Sequence, residues 1–385
     1  MRGITTCLAL ALSITSAYAA PPVEALEARK CAITEFPKQT IFVPSANYTT
    51  PKVLYGRSAQ LKDGTLLSTW ENYSPEPPIV HYPIFKSTDK GKTWAPFSTV
   101  NDVVNGWGLR YQPFLYVLPR AIGKFKKGTV LLAGNALPTD LSQTKIDIYA
   151  SPDDGKTWSF VSSVASGGRG FPNNGETPVW EPFLMVYKKE LIAYYADQRD
   201  PDHGQKLSHQ VTSDLVNWGP IVDDASSEIY DNRPGMTTVA QLKNGDYFML
   251  YENGGGLNPA GSGWFPVYYR IASDPRKFDE AKEVVINVGG VVPTGSPYVV
   301  WSKSGGKHGT IVVSAASHSE IFINTKGGDP DAWTMHKTTH PSTYSRSLLV
   351  MDDPDYLLIL GAGHLPSAEN SNNTVTNSVM KLPNL

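Results

Sequence analysis

Ser87-Thr88-Asp89-Lys90-Gly91-Lys92-Thr93-Trp94 and Ser151-Pro152-Asp153-Asp154-Gly155-Lys156-Thr157-Trp158 share the pattern S-x-D-x-G-x-T-W and begin 64 residues apart. Each reads as a turn with a mechanism. The Asp accepts hydrogen bonds from backbone N–H groups ahead of it, the Gly supplies a positive φ, and Thr-Trp opens a strand that buries a large ring. Two copies within matching surroundings indicate a repeated all-β unit.

Working outward, a second element recurs upstream of each octapeptide: an apolar strand, a Lys/Gly/Asp turn and another apolar strand. Its turns fall at Gly64, Gly128, Lys189, Gly245, Gly309 and Asp355, giving spacings of 64, 61, 56, 64 and 46. Degenerate octapeptides follow the third to fifth units at Thr212-Ser213-Asp214-Leu215-Val216-Asn217-Trp218, Ser273-Asp274-Pro275 and Asp329-Pro330-Asp331-Ala332-Trp333. The octapeptide resembles the Asp-box of sialidase-type β-propellers. Six units of four short strands predict an all-β, six-bladed β-propeller, an architecture that leaves only short, protected strand edges. Trp94, Trp158 and Trp218 are expected at equivalent blade positions.

Composition agrees. The 33 Gly and 30 Pro among 385 residues suit many turns, and no sustained 3.6-residue apolar period marks a core helix. A formal net charge of −2 gives no reason to expect nucleic acid or an anionic membrane as partner. Arg2, the apolar run Cys7 to Ile14 and Ala17-Tyr18-Ala19 read as a secretory signal over residues 1–20, leaving residues 21–385 as one propeller domain of a secreted, soluble, monomeric protein. Only Cys31 survives removal of that signal, so neither a disulfide nor a Cys-based metal site is expected. Sequons lie at Asn47, Asn72 and Asn372.

Propeller ligands usually bind at one mouth of the central channel. Seven positions after the turn Gly, the second strands carry Glu71, Asn135, Glu252 and Ala316. In the first strands, Tyr111-Gln112-Pro113-Phe114-Leu115 matches Trp180-Glu181-Pro182-Phe183-Leu184. A repeat that keeps its scaffold but exchanges Gln112 for Glu181 points to use of the carboxylate. Trp70, Glu71, Gln112, Trp180 and Asp197 are candidate sugar contacts, and Trp264, His81 and His318 are candidate rim contacts, because aromatic faces stack on sugar rings. Arg57 and Arg346 either bind substrate or pair with a catalytic carboxylate. His203 with Asp200 could hold a metal, but no tight His/carboxylate spacing supports it, and no metal or cofactor is expected.

The runs Thr177-Pro178-Val179-Trp180-Glu181-Pro182-Phe183-Leu184, Tyr194-Tyr195-Ala196-Asp197-Gln198-Arg199-Asp200, Tyr251-Glu252-Asn253 and Tyr344-Ser345-Arg346 together resemble glycoside hydrolase family 93. The resemblance implies an exo-α-1,5-L-arabinanase that releases arabinobiose on a sialidase-like propeller. It further implies a retaining mechanism with two glutamates assisted by a tyrosine, which map onto Glu181, Glu252 and Tyr344. By the sialidase analogy, Tyr344 hydrogen-bonds Glu252 and makes it the nucleophile, while Glu181 is the acid/base. Glu71 is the rival carboxylate. Two other functions remain. A sialidase needs three converging arginines, for which Arg57, Arg346 and the weaker Arg233 are the candidates. A non-catalytic sugar-binding propeller needs no facing carboxyls.

Overall fold

The computed structural model describes residues 32–261, 264–366 and 372–383. The expected signal sequence, Cys7 and Cys31 lie outside the described residues.

The repeat turns each join the first two strands of a four-stranded antiparallel sheet. The first sheet comprises β2 (Val53–Gln60), β3 (Leu66–Asn72), β4 (Tyr82–Ser87) and β5 (Ala95–Val100). The second comprises β6 (Leu109–Val117), β7 (Val130–Ala136), β8 (Thr144–Ser151) and β9 (Ser159–Gly167). The third holds β10 (Val179–Tyr187), β11 (Glu190–Asp197), β12 (Lys206–Thr212) and β13 (Val222–Ala225). The fourth holds β14 (Arg233–Gln241), β15 (Tyr247–Gly254), β16 (Val267–Ala272) and β17 (Val284–Val285). The fifth holds β18 (Tyr298–Ser302), β19 (Thr310–Ser314), β20 (Ile321–Asn324) and β21 (Trp333–His336). The sixth joins β22 (Ser347–Val350), β23 (Tyr356–Gly361) and β24 (Val375–Lys381) to β1 (Phe36–Phe42), the first strand of the described chain. The leading strands β2, β6, β10, β14, β18 and β22 touch one another in turn and back to β2, so the six blades close a ring. The fold is the expected six-bladed propeller. Its closure by β1, paired with β24 from Phe36 opposite Val379 to Phe42 opposite Val375, joins the two ends of the chain without a covalent link.

The octapeptides lie between the third and fourth strands and build the turns expected of them. Asp89 Oδ1 accepts from the Thr93 N–H at 2.9 Å, and Asp153 Oδ1 from that of Thr157 at 2.9 Å. Ser87 Oγ and Ser151 Oγ accept from Gly91 N and Gly155 N, at 2.9 and 2.8 Å. In the degenerate third copy, the N–H groups of Asn217 and Val216 hold Asp214 well below the usual carboxylate range. The three tryptophans are equivalent. Trp158 Nε1 donates to Ser98 Oγ on β5 at 3.2 Å, and Trp218 Nε1 to Ser162 Oγ on β9 at 3.0 Å. Trp94 Nε1 donates to Gly91 O at 3.0 Å, as Trp158 does to Gly155 O at 3.1 Å. Each octapeptide thus latches its blade, the second onto the first and the third onto the second.

Apolar side chains fill the spaces between blades. Phe114 packs on Phe183 across blades two and three with ring centroids 4.6 Å apart. Burial of each such ring stabilises the fold by roughly 1.5–3 kcal/mol. Trp70 belongs here too. It is fully buried between Phe85 (4.8 Å) and Phe42 of β1 (5.2 Å), clamping the first blade against the closing strand. Of the sequons, Asn47 and Asn372 are exposed, whereas Asn72 is buried and cannot accept a glycan in the folded chain.

Candidate active site

One mouth of the ring is organised by a sixfold irregularity. Tyr55, Gln112, Glu181, Met236, Ser296 and Ser345 all have positive φ, between 36° and 62°. They occupy the same place near the start of each blade's leading strand, and β2, β6, β10 and β14 each bulge there. A non-glycine residue in this conformation costs on the order of 1 kcal/mol or more and persists only where its surroundings enforce it. The enforcement comes from the preceding blade. Glu71 Oε1 accepts from Gln112 N at 2.9 Å, Gln112 Oε1 from Glu181 N at 3.1 Å, and Glu181 Oε2 from Met236 N at 2.6 Å. The Glu252 carboxylate accepts from Ser296 N, and Ser296 Oγ from Ser345 N at 2.9 Å. Arg57 closes the circle by donating to Ser345 Oγ at 2.7 Å and Ser345 O at 2.9 Å. The cross-strand partners of the residues before the bulge obey the repeat read from the sequence: Leu54 faces Glu71, Tyr111 faces Asn135, and Gly235 faces Glu252.

Inside this ring opens a cavity of about 790 Å³, lined among others by Glu71, Tyr73, Gln112, Trp180, Glu181, Arg233, Glu252 and Tyr344. Removal from water pushes Glu181 up to about 7, against the opposing pull of the Met236 N–H and of Arg233 and Arg57. Burial, then the charge of Glu181, pushes Glu252 up to about 8. Burial also raises Glu71 to about 7, although Tyr73 Oη donates to it at 2.8 Å. Burial, reinforced by the fields of Glu181, Glu252, Tyr55 and Glu71, keeps the Tyr344 hydroxyl protonated. A cluster of raised, mutually repelling carboxyls beside buried hydroxyls suits proton transfer and nucleophilic attack at one centre.

The remaining sequence candidates divide. Trp180 lines the cavity and is aimed by its Nε1–H, which donates to Gln198 Oε1 at 2.9 Å. Trp70 does not line it, for it lies in the core. Arg57 is buried behind Tyr55, its guanidinium 4.0 Å from that ring and 5.1 Å from Tyr298. Arg346 is fully buried and turned away, donating to the carbonyls of Ser319, Glu320, His340 and Pro341. Asp197 is buried outside the cavity lining and bound to Arg199 at 2.6 Å. His318 packs against Phe322 and bonds Ser317, which itself lines the cavity. Trp264 is 78 % exposed next to the lining residue Phe265. The expected Tyr344–Glu252 hydrogen bond is not formed. The Tyr344 hydroxyl instead stands in the field of both glutamates, that of Glu181 the stronger. His203 and Asp200 are engaged elsewhere, with Ser227 O and Lys206, and among the described residues no cluster of His, Cys, Asp or Glu is placed to hold a metal. Sequence reasoning passed over Tyr73, two positions after Glu71, and undervalued Arg233. The repeat singles out neither: three residues before the positive-φ position the first blade carries Lys52 where the fourth carries Arg233, and two after the strand-end glutamate the fourth carries Gly254 where the first carries Tyr73.

Gly235 offers a test of this packing. A Cβ there would lie 2.6 Å from Gln205 Nε2 and 3.3 Å from Glu181 Oε2. Gly235→Ala is therefore expected to push the Gln205 amide aside, shift the Glu181 carboxylate slightly and lower kcat/KM about tenfold with little change in circular dichroism. An unchanged rate would show that the pocket absorbs the methyl.

No family model and no curated protein matches this chain. Solved structures do. An α-L-arabinofuranosidase from Fusarium graminearum, solved with an iminosugar inhibitor, shares 57% identity over 90% of this chain and 98% of its own, with a TM-score of 0.89. A family 93 α-L-arabinofuranosidase of the same organism in complex with arabinobiose shares 56% over 90% and 98%, at a TM-score of 0.88. An α-L-arabinanase from Penicillium chrysogenum with bound arabinobiose shares 50% over 91% and 99%, at 0.87. A Streptococcus pneumoniae sialidase, 12% identical with a TM-score of 0.57, shares the fold alone. With this identity over nearly the full length of those enzymes, and the same propeller, the chain belongs to glycoside hydrolase family 93.

Proposed function

We propose that this protein is a secreted glycoside hydrolase that releases arabinobiose from the ends of α-1,5-linked L-arabinan with retention of configuration. The observation that carries the reading is the pairing of Glu181 and Glu252 in one cavity, in a chain 50–56% identical to enzymes solved with arabinobiose. Retention requires one carboxyl to attack the anomeric carbon and the other to protonate the leaving oxygen, about 5–5.5 Å apart. Trp180, Glu71 and Gln112 are then sugar contacts, with Trp264 at the rim. The sialidase reading is disfavoured, because of its three arginine candidates only Arg233 lines the cavity. A non-catalytic binding module would have no use for two facing carboxyls held above their ordinary pKa.

The assignment of Glu252 as nucleophile and Glu181 as acid/base rests on the sialidase analogy. Burial raises both carboxyls and their charges oppose each other, so the two titrate as a pair, with one member protonated beside an ionised one.

The test is to incubate the secreted protein with linear α-1,5-arabinan and with a sialoside and identify the products. Arabinobiose as the first and main product is expected. Free arabinose as the first product would replace the substrate-end reading by an arabinofuranosidase, and sialic acid release would overturn it.

A further inference from the structure

Arg233 begins β14, three residues before Met236, whose N–H binds Glu181. Its guanidinium faces the cavity yet has no carboxylate partner among the described residues. NH1 donates to Asn174 Oδ1 at 2.5 Å and more weakly to Gly204 O at 3.4 Å. NH2 donates to Gln198 Oε1 at 3.0 Å and to Gln205 Oε1 at 2.8 Å. Every acceptor is neutral. Other arginines of this face behave differently: Arg110 pairs with Glu76, Arg169 with Glu176, and Arg199 with Asp197. A cation paired to a carboxylate presents little net field to its surroundings, whereas one held by amide oxygens keeps its charge.

The clamp also ties the two catalytic blades together. Gln198 accepts from Trp180 Nε1 as well as from Arg233, so the residue preceding Glu181 is fixed to the same guanidinium. Gln205 holds Arg233 on one side and donates to Pro234 O at 2.9 Å on the other.

We propose that Arg233 is a positioning residue for the Glu181/Glu252 pair: its amide clamp fixes an uncompensated positive charge beside them, which keeps the ionised member ionised in a cavity that otherwise disfavours charge. The inference rests on the hydrolase reading for its role in turnover, but the charge effect itself does not. The other groups whose charge reaches the pair are Glu71, with Tyr73 bound to it, from the end of the first blade's second strand, Arg57 behind Tyr55 on β2, and Tyr344 before β22. Near Arg233 lie Tyr230 and Asp231, the latter bound to Asn174 Nδ2 at 3.0 Å. Both glutamates are lowered by Arg233, in opposition to burial. The sign follows: removing the cation raises the carboxyl pKa, so the ionised nucleophile is lost at a higher pH.

The experiment compares wild type, Arg233→Met and Arg233→Lys by two readouts. These are the acidic limb of kcat/KM on an α-1,5-arabino-oligosaccharide, and the carbon-13 titration of labelled glutamate side chains in the free protein. In Arg233→Met both are expected to move up by about one pH unit, the scale of one charge acting across several ångströms of partly solvated protein. Arg233→Lys keeps the charge and is expected to restore the limb while losing the fork geometry, with a raised KM. A limb and titration unmoved in Arg233→Met would overturn the proposal, even if the rate fell. If the wild type were inactive on arabinan, the hydrolase reading would fail alone, and the glutamate titration would still decide the role of Arg233.

Discussion

Glu252→Ala is expected to abolish glycosyl-enzyme formation on every substrate, lowering kcat by at least about 10³-fold, because no other carboxylate can attack the anomeric carbon from the same place. Glu181→Ala is expected to behave differently. On an arabinoside with an activated leaving group, departure needs no proton, so the first step survives and the glycosyl-enzyme accumulates. Azide then enters the space left by the carboxyl, attacks from the retained face and restores turnover. The product identifies the residue: a retained-configuration glycosyl azide from Glu181→Ala assigns Glu181 as acid/base. The same product from Glu252→Ala would reverse the assignment. Rescue of neither variant with activity intact would return Glu71 to consideration, since it shares the cavity and is also raised by burial.

Tyr344→Phe is expected to lower kcat by on the order of 10² while leaving thermal stability nearly unchanged. The ring carries the packing, edge-on to Tyr55 at 6.3 Å and against the small cluster of Leu54, Tyr55 and Met236. Phenylalanine retains all of that. The hydroxyl is the part that faces Glu181 and Glu252 and that burial keeps protonated, so it can donate to whichever carboxylate changes charge during the reaction. An interaction made mainly in the transition state lowers kcat and kcat/KM together when removed. A rate within about twofold of wild type would mean that Tyr344 merely packs.

What the sequence by itself determined about this protein is its repeating frame. Turns such as Asp89 to Trp94 and Asp153 to Trp158 are closed by hydrogen bonds between residues at most four apart, so their pattern is local and legible. The strand period and the repeat register followed. They placed Glu71 and Glu252 at equivalent strand ends and set Glu181 against Gln112, both of which lie at left-handed bulges of the inner strands. What only the tertiary structure decided is which polar and aromatic side chains reach the cavity. Strand alternation tells which face a residue occupies, but not what covers that face. Trp70 is covered by Phe42, because the ring is closed by a strand from the other end of the chain. Arg346 is consumed by carbonyls of Ser319, Glu320, His340 and Pro341, whose loops meet it only in the folded ring. Arg233 carries no repeat signature, and it keeps its charge only because Asn174, Gln198 and Gln205, from the neighbouring blade, offer it neutral oxygens. A buried charge takes its meaning from the partners that desolvate and pair it, and in a propeller those partners come from blades far apart in sequence.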